Sequence, residues 1–321
     1  MPLDKLKLKK IKGDASFRSF FRKKINNINS IIVYSKKEKK KNLLIYDSIN
    51  SLLIKNKILA PALYKENYRK NFIEIQDFGK DTIYSLLKKK KSNKIYLYKR
   101  SIDLLLKIQK IKKNKTKNFM GKNYIIPTYN NNELFTETKL FLEWYVERCI
   151  PKNRRLRLNA EIKKQIKLLL SKLKLKNNIF VHRDFHVSNL MKYKNQLAII
   201  DTQDAMIGNR AYDLASLIDD VRFKSSKKFK DNIYNYYLRL NKKQINKANF
   251  HNDFEILSVL RNMKIIGIFT RLAIRDKKMM YLKLIPHAWK LIELRIRGNK
   301  IFSELKKILD HNFSKQIRSL K

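Results

Sequence analysis

Asp184, Asn189 and Asp201 are the residues of this chain whose types and spacing best fit a chemical reaction. Asp184 and Asn189 stand five residues apart in the octapeptide His182–Asn189, and Asp201 follows the apolar run 197–200. A carboxylate can accept the proton of an attacking hydroxyl group. An amide oxygen and a second carboxylate can hold Mg²⁺ against the phosphates of ATP. The spacing therefore predicts ATP-dependent phosphoryl transfer, with Asp184 as the catalytic base and with Asn189 and Asp201 as metal ligands.

The segments around these residues must bring them together. The pattern H-R-D-x-x-x-x-N lies between one predicted strand and a second that ends in Asp201, an order typical of protein-kinase-like catalytic cores. We expect His182 to support the loop by packing behind the base and bonding to backbone near Asp201; direct proton transfer is the alternative. His186 either points toward the substrate or packs inside the loop. Asp213 stands at a predicted helix start and is expected to brace the loop.

The sequence pattern predicts an α+β, two-lobed protein-kinase-like fold, with a small β-rich N-lobe and a larger, mainly helical C-lobe. Residues 1–79 contain the short alternating and β-branched runs that favour strands, and we assign them to nucleotide binding. Residues 80–321 show apolar residues at helical spacing and hold the catalytic loop, so we assign them to catalysis and substrate binding. Within this lobe, residues 112–132 predict a polar loop and residues 136–149 predict one amphipathic helix.

The nucleotide-binding residues are expected in the first lobe. Backbone N–H groups of the turn 13–16 and its serine hydroxyl can meet phosphates, although an ordinary hairpin turn would have the same sequence. The third strand lacks the lysine with which protein kinases grip the α/β-phosphates. Arginines of the preceding strand or lysines after the third strand are alternatives, as is simple solvation of all of them. A hinge for adenine is predicted at 74–79. The predicted nucleotide-binding residues are Gly13, Ser16, Arg18, Arg22 and Gln76.

The charge balance is extreme, with 75 Lys and Arg residues against 27 Asp and Glu residues and a formal net charge of +48. Because the excess is lysine spread over the whole chain, we interpret it as a compositional bias and expect only non-specific binding of nucleic acid. The single cysteine, Cys149, excludes an internal disulfide. No apolar run approaches the roughly 18 residues of a membrane span, and the N-terminus has no signal-peptide pattern. A cytoplasmic monomer without membrane contact is therefore expected.

Longer motifs resemble a known family. Residues 181–190, 199–205 and 212–220 resemble the aminoglycoside phosphotransferase-like kinases of small molecules. Four further segments are most similar to the bacterial N-acetylmuramate/N-acetylglucosamine kinases of cell-wall recycling: Gly13–Arg18, Leu142–Trp144, Asp201–Ala205 and Arg261–Leu272. The resemblance implies transfer of the γ-phosphoryl group of ATP to the anomeric hydroxyl of the sugar. The departures from the family pattern are Thr202 where Phe is usual, Tyr34-Ser35 at the end of the third strand, and Asn209 where Pro is common.

On this resemblance, the sugar is expected to meet the catalytic loop and the C-terminal helices. Arg261 and Lys264 are three residues apart and share a helix face. That face can receive the lactyl carboxylate of N-acetylmuramate; a solvated basic face is the alternative. Asp204 contacts the substrate or a second metal, or it stabilises a turn, and Trp144 stacks on the sugar or packs its helix. The predicted substrate-binding residues are His186, Asp204, Glu143, Trp144, Arg261 and Lys264.

Two other functions are compatible with the sequence. The same fold can phosphorylate another small hydroxyl compound, such as an amino alcohol or an aminoglycoside, although a cationic substrate would favour an acidic pocket. A different class is a basic nucleic-acid-binding protein on a kinase scaffold, and the intact Asp184, Asn189 and Asp201 argue against it. A protein kinase is disfavoured because no A-P-E segment follows Asp201.

Overall fold

A computed structural model of the protein describes residues 8–11, 18–25, 28–242 and 245–319. The predicted phosphate-binding turn with Gly13 and Ser16 lies outside these residues. Contacts divide the chain into two compact units. Unit 1 comprises residues 1–127 and 179–207, and unit 2 comprises residues 128–178 and 208–321. The catalytic loop and the β-rich N-terminal region thus belong to the same unit, whereas the predicted lobe boundary falls after residue 79. That boundary stays a prediction.

An antiparallel sheet and a helix form the first part of unit 1. Five strands are ordered β1-β2-β3-β5-β4. Apolar residues alternate along β5, where Ile73 and Ile75 are buried, and they pack with Val33 of β3 and with Leu43 and Tyr46 of helix α1. This burial is what fixes the register of the strands. The bounds are β1 Lys9–Ile11, β2 Ser19–Ile25, β3 Ile28–Tyr34, α1 Lys41–Lys55, β4 Leu63–Asn67 and β5 Phe72–Gln76.

The rest of unit 1 carries two helices and several short strands. Strands β9 and β10 form a hairpin with the register Leu190↔Ile199 and Tyr193↔Gln196. Phe78, just after β5, packs against Met191 and Ala198 of this hairpin. The bounds are α2 Ile83–Leu87, α3 Lys94–Ile108, β6 Lys115–Lys117, β7 Asn123–Ile125, β8 Asn177–Val181, β9 Leu190–Tyr193, β10 Gln196–Ile199 and β11 Met206–Asn209; β8 and β11 run across the unit boundaries.

Unit 2 is built on the long helix α9, which buries residues on all sides because α7, α10 and a π-helical turn at Phe141–Val146 pack around it. At Gly267 the packing is so close that an added Cβ would lie 2.2 Å from the backbone carbon of Leu140. The bounds are α4 Asn131–Thr138, α5 Glu147–Cys149, α6 Lys152–Ser171, α7 Ala211–Ile218, α8 Lys227–Leu240, α9 Lys247–Ile274, α10 Ile285–Ile296, α11 Ser303–Asn312 and α12 Lys315–Ser319.

The α+β fold class is confirmed, one local prediction is wrong, and the helix predicted over 136–149 is present but irregular. The polar segment 112–132 is not a simple loop, because β6 and β7 pair within it. The helix predicted over 136–149 is divided among α4, the π-helical turn and α5. Its wider turn lies where helix α9 approaches the backbone at Leu140, a tertiary contact that local periodicity does not encode. Among the described residues, no helix is long and apolar enough to cross a membrane.

Candidate active site

The loop that carries Asp184 is held by its own backbone. The His186 N–H donates to the Asp184 carbonyl at 2.9 Å, and the Asn189 N–H donates to the His186 carbonyl at 2.9 Å. The Asn189 side-chain amide also donates to the Asp184 carbonyl, at 3.0 Å. Because that bond uses the amide nitrogen, the amide oxygen is the atom that Asn189 can offer to a cation. The predicted base and the first predicted metal ligand are thus joined through a main-chain oxygen.

The hairpin β9–β10 explains how Asn189 and Asp201 meet although they are twelve residues apart in sequence. Asn189 directly precedes Leu190, whose partner across the ladder is Ile199. The Ile200 N–H continues the ladder by donating to the Asn189 carbonyl at 3.0 Å. Asp201 therefore emerges beside Asn189, and the spacing between the two residues is the length of one short hairpin.

Asp201 combines an unfavourable backbone conformation with a shifted side-chain pKa. Its backbone has φ of +62°, a conformation that costs free energy for a residue with a Cβ and that clusters at functional sites. Arg18 donates to its carboxylate at 3.0 Å, and Arg18 is almost fully buried whereas the Asp201 side chain is 42% exposed. Although this side chain is partly open to solvent, the protein atoms around its carboxyl group and the nearby charges of Asp184 and Asp204 raise the pKa of Asp201, and the Arg18 charge opposes them. Asp201 is thus an acidic residue whose carboxylate is influenced by two further acidic side chains and by one arginine.

His182 lies behind this cluster and is 1% exposed. Its Nε2 lies 3.0 Å from the carbonyl oxygen of Ile200, so the ring holds the backbone immediately before Asp201. Arg183, with φ of +73°, donates to the Asp204 carbonyl at 3.0 Å and ties the catalytic loop to the segment after Asp201. His186 is buried within the loop, whereas the Asp204 side chain is exposed.

Helix α1 contributes residues that sequence reasoning missed. The Arg18 guanidinium lies 5.4 Å from the Tyr46 ring centroid and 5.6 Å from that of Phe20. Burial, with the Asp201 charge, raises the pKa of Tyr46 to about 12, while Arg18 and a hydrogen bond with Asn50 oppose the rise. Asn50 in turn accepts a 2.6 Å hydrogen bond from the Thr202 hydroxyl. In a protein kinase a helix of the N-lobe offers a glutamate to a lysine; here α1 places the Tyr46 ring against Arg18 and the Asn50 amide against Thr202.

The remaining residues predicted for the nucleotide lie at the end of β5. Arg22 forms an ion pair with Asp77 and donates to the Gly79 carbonyl at 2.7 Å. Gln76, the last residue of β5, donates its backbone N–H to the Ala62 carbonyl at 2.8 Å. Arg22 therefore fixes the turn that follows Gln76, and Arg18 is the arginine that reaches Asp201. Contact of either residue with a nucleotide stays a prediction.

The residues predicted for the sugar lie mostly in unit 2. Lys264 donates to the Glu137 carboxylate at 2.7 Å, and Glu137 also accepts a hydrogen bond from Tyr129. Arg261, one turn earlier on α9, is 4% exposed. Glu143 is exposed, and its Oε1 lies 3.9 Å from the Nζ of Lys139. Trp144 is partly buried next to Glu143 in the π-helical turn, and Asp213 is fully buried in the first turn of α7.

The donor atoms fit a magnesium ion shared with a nucleotide. The Asp201 carboxylate and the Asn189 amide oxygen are oxygen ligands, and two suffice because Mg²⁺ keeps water and phosphate oxygens as its other ligands. Within the described part of the chain, no three His, Cys, Asp or Glu side chains come together as a closed protein site would require. The excess of carboxylate charge around Asp201 is what a cation would neutralise.

A separate cavity of about 450 Å³ lies elsewhere in unit 1, between α2, the start of α3 and the hairpin β9–β10. None of the predicted site residues lines it. Its rim carries Lys89, Lys91, Arg100 and Lys192.

A model of the phosphotransferase enzyme family matches residues 76–248, a segment that contains the catalytic loop and Asp201. The chain belongs to this family. It is therefore an enzyme, a phosphotransferase that acts on a hydroxyl acceptor, and the predicted kinase-like identity is confirmed.

Relatives and solved structures agree with this membership. The chain is 25% identical to the N-acetylmuramate/N-acetylglucosamine kinase of Neisseria meningitidis serogroup B, over 85% of this chain and 81% of that protein. It is 26% identical to the enzyme of the same name from Pseudomonas putida, over 92% of this chain and 86% of that protein. Its fold is similar to the aminoglycoside phosphotransferase APH(2'')-Ib with bound ADP, with a TM-score of 0.61, 17% identity and coverage of 90% and 93% of the two chains. It is also similar to a Plasmodium vivax ethanolamine kinase, with a TM-score of 0.61, 14% identity and coverage of 91% and 82%.

Proposed function

We propose that the protein transfers the γ-phosphoryl group of ATP to the anomeric hydroxyl of N-acetylmuramate and N-acetylglucosamine, giving the sugar 1-phosphates for cell-wall recycling. The observation that carries the proposal is the set Asp184, Asn189 and Asp201, joined by main-chain hydrogen bonds within unit 1. The substrate is supported by relatives of that name, which match over 81% and 86% of their own length. The cytoplasmic location and the monomeric state stay predictions.

The chemistry requires one proton acceptor and a site for charge. Asp184 accepts the proton of the anomeric hydroxyl as the sugar oxygen bonds to the γ-phosphorus, while the bond to the β,γ-bridging oxygen breaks and ADP leaves. A magnesium ion held by Asn189 and Asp201 would neutralise charge on the β- and γ-phosphates. Arg18, buried against Tyr46 beside Asp201, keeps this carboxylate in place and adds a positive charge. His182 keeps the Ile200 carbonyl, and hence the start of the Asp201 segment, in position.

The residues that choose the sugar remain part of the proposal. We assign His186 and Asp204 to the acceptor side of the catalytic loop, and Glu143, Trp144 and the α9 face with Arg261 and Lys264 to the body of the sugar. Gln76 and the turn with Gly13 and Ser16 are assigned to the nucleotide. Asp213 supports the catalytic loop and does not touch the substrate.

A direct assay tests the proposal. Purified protein with Mg-ATP is given N-acetylmuramate, N-acetylglucosamine, choline, ethanolamine and an aminoglycoside, and phosphorylated products are identified by ³¹P NMR. We expect sugar 1-phosphates, recognised by coupling of the phosphorus to the anomeric proton. Phosphorylation of an amino alcohol or an aminoglycoside, with neither sugar accepted, would replace the proposed substrate while retaining the enzyme class. Salt-dependent binding of RNA or DNA without any phosphoryl transfer would favour the nucleic-acid-binding alternative.

A further inference from the structure

Buried charges in unit 2 are, as a rule, neutralised by neighbours. Asp219 is fully buried and receives hydrogen bonds from Lys230, Arg295 and Ser258. Asp253, also fully buried, accepts two backbone N–H groups at 2.8 Å and the side-chain amide of Asn209 at 2.7 Å. This agrees with the high free-energy cost of burying a charge that has no partner.

Arg261 is the exception to this rule. It is 4% exposed on helix α9, and its Nη1 is buried without a hydrogen-bond partner. Among the described residues, no carboxylate, carbonyl or aromatic face takes up its guanidinium charge. A guanidinium group has five N–H donors and cannot be deprotonated in a protein. Within the described residues, unit 2 therefore holds a permanently charged guanidinium group that has no hydrogen bond or ion pair to a neighbour.

Lys264, one turn further along α9, does not share this property. Its ammonium group donates to Glu137 at 2.7 Å, and Glu137 also accepts from Tyr129. The same ammonium group lies 3.5 Å from the Tyr212 hydroxyl. The two cations of this helix face thus differ. Lys264 forms an ion pair with Glu137, whereas Arg261 has no such partner among the described residues.

The geometry points to Arg261, and not to its neighbour Lys264, as the residue that binds the carboxylate of an anionic sugar. This inference rests on the proposed function and deepens it. N-Acetylmuramate is N-acetylglucosamine with a lactyl ether on O3, so the two sugars differ by one carboxylate. An arginine binds a carboxylate through two parallel hydrogen bonds. Arg261 would therefore select the acidic sugar over its neutral relative.

Chemically matched substrates test the inference in the wild-type enzyme, without any variant. The values of kcat/KM are measured for N-acetylmuramate and for its neutral methyl ester, which removes the charge of the lactyl group and adds only one methyl group. We expect the acid to be preferred by about 10- to 100-fold, the range of a charge-assisted hydrogen bond. In Arg261→Gln the preference should fall to about threefold or less, and Arg261→Lys should restore part of it. In Lys264→Gln the preference should equal that of the wild type, even if both rates fall.

The outcomes separate this inference from the proposed function. Equal use of acid and ester by the wild type, or an unchanged preference in Arg261→Gln, overturns the role of Arg261 but leaves a sugar kinase. If the wild type phosphorylates neither sugar, the proposed function fails. Calorimetric titration of acid and ester then decides about Arg261: tighter binding of the acid, lost in Arg261→Gln, supports it, and equal or absent binding overturns it. Should Arg261→Gln not fold, the wild-type preference between acid and ester still decides: a preference for the acid supports the role of Arg261, and equal use overturns it.

Discussion

Asp201 in unit 1 and Asp219 in unit 2 are both acidic residues beside arginine, yet their surroundings are opposite. Asp219 is fully buried between Lys230 and Arg295, and these cations hold the pKa of its carboxyl group well below its usual range. The Asp201 side chain is 42% exposed and has Arg18 as its ion-pair partner. The protein atoms around its carboxyl group and two further carboxylates nevertheless raise the pKa of Asp201. We expect the Asp219 cluster to stabilise the fold, whereas under the proposed function the charge around Asp201 would meet a cation and phosphates.

The strongest test of this contrast is Asp184→Asn. Loss of the proton acceptor should lower kcat by up to about 10⁴-fold, the upper end for general base catalysis. The melting temperature should stay within about 2 °C of the wild type or rise, because one repelling charge beside Asp201 is removed. Steady-state kinetics and calorimetry on the same preparations measure both. Asp231→Asn, which alters an exposed pair with Lys227, is the control and should change neither. A variant that keeps most of its activity would reject Asp184 as the base.

The opposite behaviour is expected of Asp219→Asn. The amide has almost the same shape but leaves the buried Lys230 and the largely buried Arg295 without their counter-charge. We expect the free energy of unfolding to fall by about 3–4 kcal/mol, as for removal of one partner from a buried ion pair. The activity per folded molecule should stay within a factor of about three. Denaturant unfolding measures the free energy of unfolding, and active-site titration measures the activity per folded molecule. A stable Asp219→Asn enzyme with a low kcat would contradict the assignment of the Asp219 cluster to stability.

The hydrogen bond between Thr202 and Asn50 should have an intermediate effect. Thr202→Val removes the donor at nearly constant shape, so helix α1 is no longer bonded to the segment after Asp201. We expect kcat/KM for Mg-ATP to fall about tenfold, since a buried hydrogen bond contributes about 1 kcal/mol and its loss leaves the amide unsatisfied. Thr202→Ser keeps the hydroxyl donor and should restore kcat/KM for Mg-ATP. A double-mutant cycle with Asn50→Leu isolates the coupling, and calorimetric binding of Mg-ADP provides a readout apart from turnover. Additive effects of the two substitutions would show that the bond does not position Asp201.

The smallest predicted effect concerns pH and unit 2. Burial, with the charges of Lys230 and Lys224, lowers the pKa of His287 from 6.5 to about 4. The unfolded chain then binds more protons than the folded one between these values, so stability falls as the pH is lowered through this window. We expect a loss of about 1 kcal/mol from pH 7 to about pH 5.5. His287→Phe should remove this part of the slope, which chemical denaturation at several pH values measures. An equal slope in both proteins would contradict the assignment.

The proximity of Asn189 and Asp201 was predictable because their spacing encodes a local structure. Asn189 and Asp201 flank a single hairpin, and the strand pattern between them is visible in the sequence. The contacts of α1 were not predictable, since Tyr46 meets Arg18 and Asn50 meets Thr202 only through tertiary packing. The substitution of Thr for the usual Phe at 202 was the available signal, and its significance appears only with Asn50 in place. Likewise, Arg261 and Lys264 have equivalent positions in the sequence, and only Glu137, more than a hundred residues away, tells them apart.

Gly267 is a position at which no other residue fits the fold. Every other amino acid would place a Cβ 2.2 Å from the Leu140 backbone carbon and 2.3 Å from its oxygen, far inside any distance that atoms tolerate. Any missense change of this glycine codon introduces a side chain, so we expect such alleles to yield little folded protein. The same contact prevents α9 from sliding along its axis, because its neighbours Ile266 and Ile268 cannot take the place of Gly267. One missing side chain thus fixes the register of the helix on which Arg261 stands.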